Sequence, residues 1–402
     1  MQQQAESLAG PAEASAIRGS NQSGMRAHNE RLVLSLIRQR GPLAKAEIAR
    51  VSGLSAQTVS VIMRALEAEG LLVKGDPVRG KVGQPSVPMR LAADGAYFLG
   101  LKVGRRSVEL VLTDFVGKVL HRTMRTHGYP TPEATVAFAL EKIGSLTANL
   151  TPLQQRRIAG LGIAMPFYLW NWAQTIGVPE REMAGWRTAD IRSSIAEAVD
   201  FPVFLQNDAS AACGAEVVFG PADQPKDFLY FYVGYFIGGG VVLNGSLFTG
   251  RGNAGALGPL PVPAEGGEVR QLIDVASLVV LEMRLRAAGV DTASLWTGTE
   301  FWGFDDRILT DWTESAAAGL AYAVTTACAV MDFEAVLIDG WIPANLRSRL
   351  VAATDRHLDR HNLTGLQRPA IRPGTVGADA RALGAAGLPL SERFLVDQSG
   401  AV

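Results

Sequence analysis

"PVFLQNDASAACGAE", running from Pro202 to Glu216, joins an apolar, strand-like run (Pro202 to Leu205) directly to small helix-forming residues. The junction is Gln206-Asn207-Asp208. An Asn-Asp pair between a strand and a helix has three readings: a catalytic site, a ligand tether, or a helix cap. Taken alone the stretch reads as a cap, because Asp208 is placed to N-cap a helix starting near Ala209. The rest of the chain has to decide.

Working outward, the 402 residues are enough for two or three domains with their own cores. Apolar residues make up 48% and charged residues 19%, the balance of a folded, soluble protein. No apolar run reaches the ~18 residues of a membrane span. The first two dozen residues are small and polar, without the apolar centre of a signal peptide, and read as a disordered tail over residues 1–24. Only Cys213 and Cys328 occur, which leaves no disulfide framework and no cysteine-rich zinc site. The expected location is the cytoplasm. The net charge of −1 hides an asymmetry: Met25–Arg90 carries eleven Lys and Arg against five Asp and Glu. A basic head on a mildly acidic body points to a polyanion met by the head alone.

Within that head, Leu32, Val33, Leu36 and Ile37 form one helical face, closed by Gly41-Pro42. Ile48, Ala49 and Val51 form a short second helix, ended by Ser52-Gly53-Leu54. Ser55 caps a third, with Val59, Ile62, Met63 and Leu66 as its buried stripe. Leu71 to Val73 reads as a strand, followed by a Gly/Pro-rich basic loop and a return strand near Val87. Three helices and a basic hairpin make a winged helix-turn-helix over residues 25–92. The third helix would face the major groove through Ser55, Gln57, Thr58, Ser60 and Arg64. Gln57 and the hydroxyls suit base edges and Arg64 a phosphate; Arg79, Lys81 and Gln84 on the wing suit backbone or minor groove. A protein-interaction module could share the same three-helix core.

From Ala96 onward strands alternate with helices, the pattern of an α/β fold whose ligands sit in loops at strand ends. "GLKVGRRSVELVLTDFVGKVL" reads as strands joined by tight turns, "IAGLGIAMPF" as a buried strand entering a loop. "FLYFYVGYFIGGGVVLNGSLFTG" reads as a hairpin, "AVLIDGWIP" as another buried strand, and Trp312 to Met331 as a long helix. In order along the chain, these runs with "LQNDASAACGAE" and "ADARALGAA" resemble the motifs of the ROK family of repressors and sugar kinases, from about Asn29 to Arg393. The resemblance implies a two-lobed actin/hexokinase-like body behind the winged helix. Its first lobe would span 93–208, completed by about 376–395, and its second 209–375.

The departures from the family pattern separate kinase from regulator. Family kinases open the first phosphate loop with an Asp in D-x-G-x-T; here the run is Lys102-Val103-Gly104-Arg105-Arg106. The second loop, Gly-Thr-Gly-Ile-Gly in kinases, is Gly234-Tyr235-Phe236-Ile237-Gly238, with two aromatics where phosphates need open backbone N–H groups. The family's zinc-binding His and cysteine cluster are missing, with Pro259 at the His position, so no metal or other cofactor is expected. One sugar-binding Glu is replaced by Ala256; the other falls on Ile273, with Asp274 beside it as a stand-in.

In the kinases the Asp of the Asn-Asp pair takes a proton from the sugar hydroxyl and the Asn holds other hydroxyls. Keeping Asn207 and Asp208 while losing the phosphate loops fits binding without reaction, and a capping role can coexist with it. Around them, Pro166, Phe167, Trp170, Asn171 and Trp172 offer ring faces and an amide for a sugar, or else pack the body's core. Arg251 and Asn253 are further candidates for the pocket. The resulting expectation is a DNA-binding regulator and no enzyme: a repressor of carbohydrate genes, a homodimer or tetramer on operator DNA, released by a sugar or sugar derivative that closes the lobes. The alternatives are an ATP-dependent sugar kinase with a DNA-binding head, and a regulator controlled by a protein partner.

Overall fold

The computed structural model describes residues 22–77, 87–173, 177–264 and 267–396. They divide into two compact units, one reaching Gln206 and resuming at Ala385, the other spanning Asn207–Gly384. The head is part of the first unit. The sequence had put the lobe junctions after residue 208 and near residue 376; the units divide after Gln206 and after Gly384. Helices of eight or more residues are numbered below.

The head consists of α1 (Gln22–Arg40), α2 (Lys45–Ser52), α3 (Ala56–Ala68), β1 (Leu72–Lys74) and β2 (Met89–Leu91). Helix α1 begins at Gln22, inside the stretch read as tail, and the return strand starts at Met89. Gly53 ends α2 at φ 72°, a left-handed conformation that glycine adopts without steric cost. The Ser55 side chain accepts the Thr58 amide and so satisfies one of the orphan N–H groups that start α3. Val59, Ile62, Met63 and Leu66 of α3 are buried, as their spacing dictates.

The first unit continues as a sheet ordered β5-β4-β3-β6-β7: β3 (Tyr97–Val103), β4 (Ser107–Asp114), β5 (Val119–Thr126), β6 (Ile158–Met165) and β7 (Val203–Asn207). Strands β3, β4 and β5 run antiparallel, and β6 lies parallel to β3. Between β5 and β6 comes α4 (Pro132–Ala148), with Thr131 as its cap and Pro132 at its first position. Leu99, Leu101, Leu110, Leu161 and Ile163 pack one face of the sheet against Phe138 of α4 and Trp186.

The second unit starts with α5 (Asp208–Phe219), followed by β8 (Phe228–Val233), β9 (Gly238–Leu243) and β10 (Ser246–Phe248). A small hairpin of β11 (Pro261–Pro263) and β12 (Val269–Gln271) precedes α6 (Leu278–Ala287) and α7 (Asp306–Cys328). Helix α7 starts ahead of the expected Trp312 because Asp305 caps it by accepting the Arg307 amide. Then come β13 (Ala335–Gly340), α8 (Ala344–Leu358), β14 (Ala370–Pro373) and α9 (Ala380–Phe394). The sheet order β10-β9-β8-β13-β14 reproduces that of the first unit strand for strand. In the wholly buried β8, Leu229, Phe231 and Val233 face a core with Trp312 and Leu320, while Phe228, Tyr230 and Tyr232 face a second core with Cys213 and Leu337. That period of two is the reason "FLYFYV" carries no polar face.

Candidate functional site

On the head, Ser55, Gln57 and Arg64 of the capped helix are exposed and Thr58 and Ser60 half-buried. Ser55 Oγ and Thr58 Oγ1 lie 2.8 Å apart, and Arg64 Nε donates to the Ser60 carbonyl at 3.2 Å. Val61, also on this helix, is 48% exposed and offers an apolar contact. The wing positions Arg79, Lys81 and Gln84 lie outside the described residues.

In the body, the first phosphate loop is the β3–β4 turn. Lys102 and Glu109 are register partners on those strands, and Lys102 Nζ meets Glu109 Oε2 at 2.8 Å, both side chains under a tenth exposed. Arg122 of β5 lies 3.2 Å from the other Glu109 oxygen. The turn is closed by the Gly104 amide on the Ser107 carbonyl and by His127 Nε2 donating to the Gly104 carbonyl at 2.9 Å. Burial holds the His127 imidazole below its ordinary pKa and so keeps it neutral, against the pull of that carbonyl.

The second phosphate loop joins β8 to β9, and its backbone is bonded internally. The carbonyls of Gly234 and Tyr235 accept the Leu278 and Val279 amides at the start of α6, and the Ile237 amide donates to Ser277 Oγ at 2.9 Å. Anion-binding groups at a helix start are thereby spent on protein oxygens. The Tyr235 ring meets Phe236 edge-to-face with centroids 4.8 Å apart and lies tilted against Trp296 at 5.5 Å. The glycines that follow serve packing: a Cβ on Gly238 would meet Ala209 of α5, and one on Gly240 would meet Cys213.

A third loop, between β14 and α9, encloses carboxylates. The buried Glu216 accepts the Thr375 and Val376 amides at 2.6 and 2.9 Å, together with the Thr375 hydroxyl. Burial raises the Glu216 carboxyl above its ordinary range, and these donors partly offset it. The fully buried Asp339 accepts the Gly377 amide at 2.7 Å and Arg347 Nη1 at 2.5 Å.

At the Asn-Asp pair the structure corrects one expectation. Asn207, not Asp208, caps α5: its side-chain oxygen accepts the Ala209 and Ser210 amides at 3.0 and 3.3 Å. The helix starts one residue earlier than expected, so the extended cap conformation falls on Asn207. The Asp208 carboxylate is turned to Arg381, whose Nη1 lies 3.2 Å from Oδ2. Arg381 also sits over the Tyr232 ring at 4.8 Å. Burial alone would lower the Arg381 pKa, but Tyr232 and Asp208 outweigh it and the guanidinium is held charged. The sequence had placed Arg381 inside a family motif without giving it a role; the signal was a lone Arg among small residues in "ADARALGAA".

The other candidates fall in two places. In the first unit, the buried Pro166 and half-buried Phe167 lead into Tyr168, at φ 59°, and a short 3-10 turn over Leu169–Trp172. Trp170 and Trp172 pack against that unit's core, while Asn171 is exposed. In the second unit, Arg251 and Asn253 are exposed on the turns after β10, and Asp274 is exposed on the short helix Ile273–Ala276. Among the described residues no group of three or more His, Cys, Asp or Glu could hold a metal ion, and no helix is long and apolar enough to cross a membrane.

A duplicated five-stranded α/β body behind a winged helix defines the class: a sugar-kinase-type fold joined to a DNA-binding module. The chain belongs to the ROK family, whose model matches residues 98–392. A winged helix-turn-helix DNA-binding model matches residues 26–73. The xylose repressor of Bacillus subtilis (strain 168) is 26% identical over 248 residues, covering 61% of this chain and 64% of the repressor, a little under two thirds of that relative's length. The crystal structure of a ROK family transcriptional regulator, homolog of the E. coli MLC protein, shares the fold with a TM-score of 0.69 at 21% identity, over 92% of this chain and 97% of that one. The ROK hexokinase from Thermus thermophilus aligns with a TM-score of 0.51 at 26% identity, over 72% of this chain and 97% of the enzyme.

Proposed function

We propose that this chain is a transcription regulator that binds operator DNA through α3 and the wing, and a sugar or sugar derivative through Asn207 and Asp208 without phosphorylating it. The observation that carries the reading is that Asp208 is retained in a chain whose stretches matching the family's phosphate loops are bonded to the protein itself. Lys102 is paired to Glu109, and the Gly234 and Tyr235 carbonyls occupy the α6 amides. A charge-assisted hydrogen bond from a sugar hydroxyl to Asp208 contributes about 1.5–3 kcal/mol. The named xylose repressor makes pentoses the first sugars to try. A homodimer would set two α3 helices on half-sites ~34–36 Å apart.

The test is a gel shift on the DNA upstream of the protein's own gene and neighbouring operon, repeated over free and phosphorylated sugars. One sugar that releases the band supports the reading. A sugar that binds while operator affinity stays unchanged refutes the regulatory part, and ATP consumption with any sugar refutes the non-enzymatic part.

A further inference from the structure

Helix α9 begins in one unit and ends in the other, and both ends are built into something specific. At its start Arg381 pairs with Asp208, and Gly384 lies so close to α5 that a Cβ there would drive into the Ala211 carbonyl. Beyond Gly384 the helix lies on the first unit's sheet, where a Cβ on Gly162 would drive into the Ala385 carbonyl. Pro389 lacks the N–H that the Ala385 carbonyl would otherwise accept.

Just beyond its far end the chain touches the head. The Phe394 ring sits 5.0 Å from Phe115 and 5.9 Å from Phe98. The Val396 amide donates to Ser35 Oγ of α1 at 3.0 Å. From the α1 side, Arg38 is buried, donates to the Phe115 carbonyl and lies 5.4 Å from the Phe115 ring centre. Burial lowers its pKa to about 10, which leaves it charged at neutral pH. The head is thus seated on Phe115 and on the segment that follows α9.

We propose that Arg381 is the positioning residue of the Asp208 tether, and that α9 is the element through which a change at Asp208 reaches the DNA-binding head. This rests on the reading of Asp208 as a ligand tether. A sugar hydroxyl and Arg381 compete for the same carboxylate, so ligand occupancy changes the restraint on the first turn of α9. The glycine contacts leave α9 little room to absorb that change locally, because close-packed interfaces shift between discrete arrangements.

The test uses the full-length chain as Arg381→Met, Arg381→Lys, Asp208→Asn, and the Asp208→Asn/Arg381→Met pair. Amide hydrogen exchange is followed along α1 and α7, with affinity for a duplex selected from random DNA by the unmodified protein. Expected are a rise of about fivefold or more in α1 exchange relative to α7, and at least about fivefold weaker duplex binding, in Arg381→Met and Asp208→Asn. The double variant goes no further than either single one, and Arg381→Lys recovers part of the loss. A uniform rise in α1 and α7 would mean a structural role only and overturns the proposal, as do unmodified values in Arg381→Lys and Asp208→Asn. Should Arg381→Met not fold, those two variants decide. None of these readouts needs a sugar, so a chain that binds none refutes the tether reading separately.

Discussion

Replacing Lys102 by Met tests whether the Lys102–Glu109 contact of the β3–β4 turn is a buried, mutually dependent pair. Lys102 and Glu109 meet at 2.8 Å with 8% and 6% of their side chains exposed. At an effective dielectric of about 20 the gross attraction is roughly 6 kcal/mol, most of it offset by the cost of dehydrating both ions. Removing one partner of such a pair typically costs 3–5 kcal/mol, because the other charge stays buried. Arg122, 3.2 Å from the second Glu109 oxygen and 40% exposed, keeps part of that charge compensated. The loss expected for Lys102→Met is therefore at the low end, about 3 kcal/mol. Lys102→Met/Glu109→Met removes both charges and is expected to recover most of it. The assay is urea unfolding of the four members of this cycle, supported by amide exchange in β3 and β4 because a chain of two units need not unfold in one step. A loss under about 1 kcal/mol for Lys102→Met, or no recovery in the double variant, would refute the assignment of a buried, mutually dependent pair.

Other outcomes follow from the same structure. Gln57→Ala is expected to relax preference at one base pair, while Arg64→Ala weakens binding to all sequences and lowers the salt slope by ~0.9, measured by selection and by titration in salt. Gly162→Ala forces a methyl into the Ala385 carbonyl and is expected to cost roughly 1–3 kcal/mol or more, read as a lower urea midpoint. Burial depresses the His127 pKa below 6.5, so the unfolded chain takes up the proton first and stability falls as pH drops from about 7.5 through 6.5 toward the depressed value. His127→Asn is expected to flatten that part of the stability profile, and an unchanged slope would remove the contribution.

How much of this was legible depends on the range of the interaction. The capped α3, the turn at Gly53 and the tight turns flanking β4 are local, and their signals sit within a few residues. The doubling of the sheet order was not legible, because it is a likeness of topology between stretches whose sequences share no repeat. The strand-to-helix junction at Asn207 and Asp208 was legible because its residue types are local. The pairing of Asp208 with Arg381 was not legible, because its partner is 173 residues away. The cap was misassigned for a related reason: Asn and Asp cap helices about equally well, and the distant Arg381 draws Asp208 away from that role.

The three loops share one physical outcome reached by three different routes. A nucleotide phosphate needs donors that the protein leaves open. At the first loop Lys102 is held by the buried carboxylate of Glu109. At the second, the helix amides meet backbone carbonyls and the Ile237 amide meets Ser277. At the third, Glu216 and Asp339 occupy the amides of Thr375, Val376 and Gly377. The donors named here already meet protein oxygens, so a phosphate that took them would have to displace those groups, at a cost of a few kcal/mol per buried group. Asp208 is held differently. Its partner Arg381 lies on α9, and both side chains are 15% exposed. Under the function proposed above, that pair is the contact a sugar hydroxyl would enter, on a helix that leads to the segment bonded to α1.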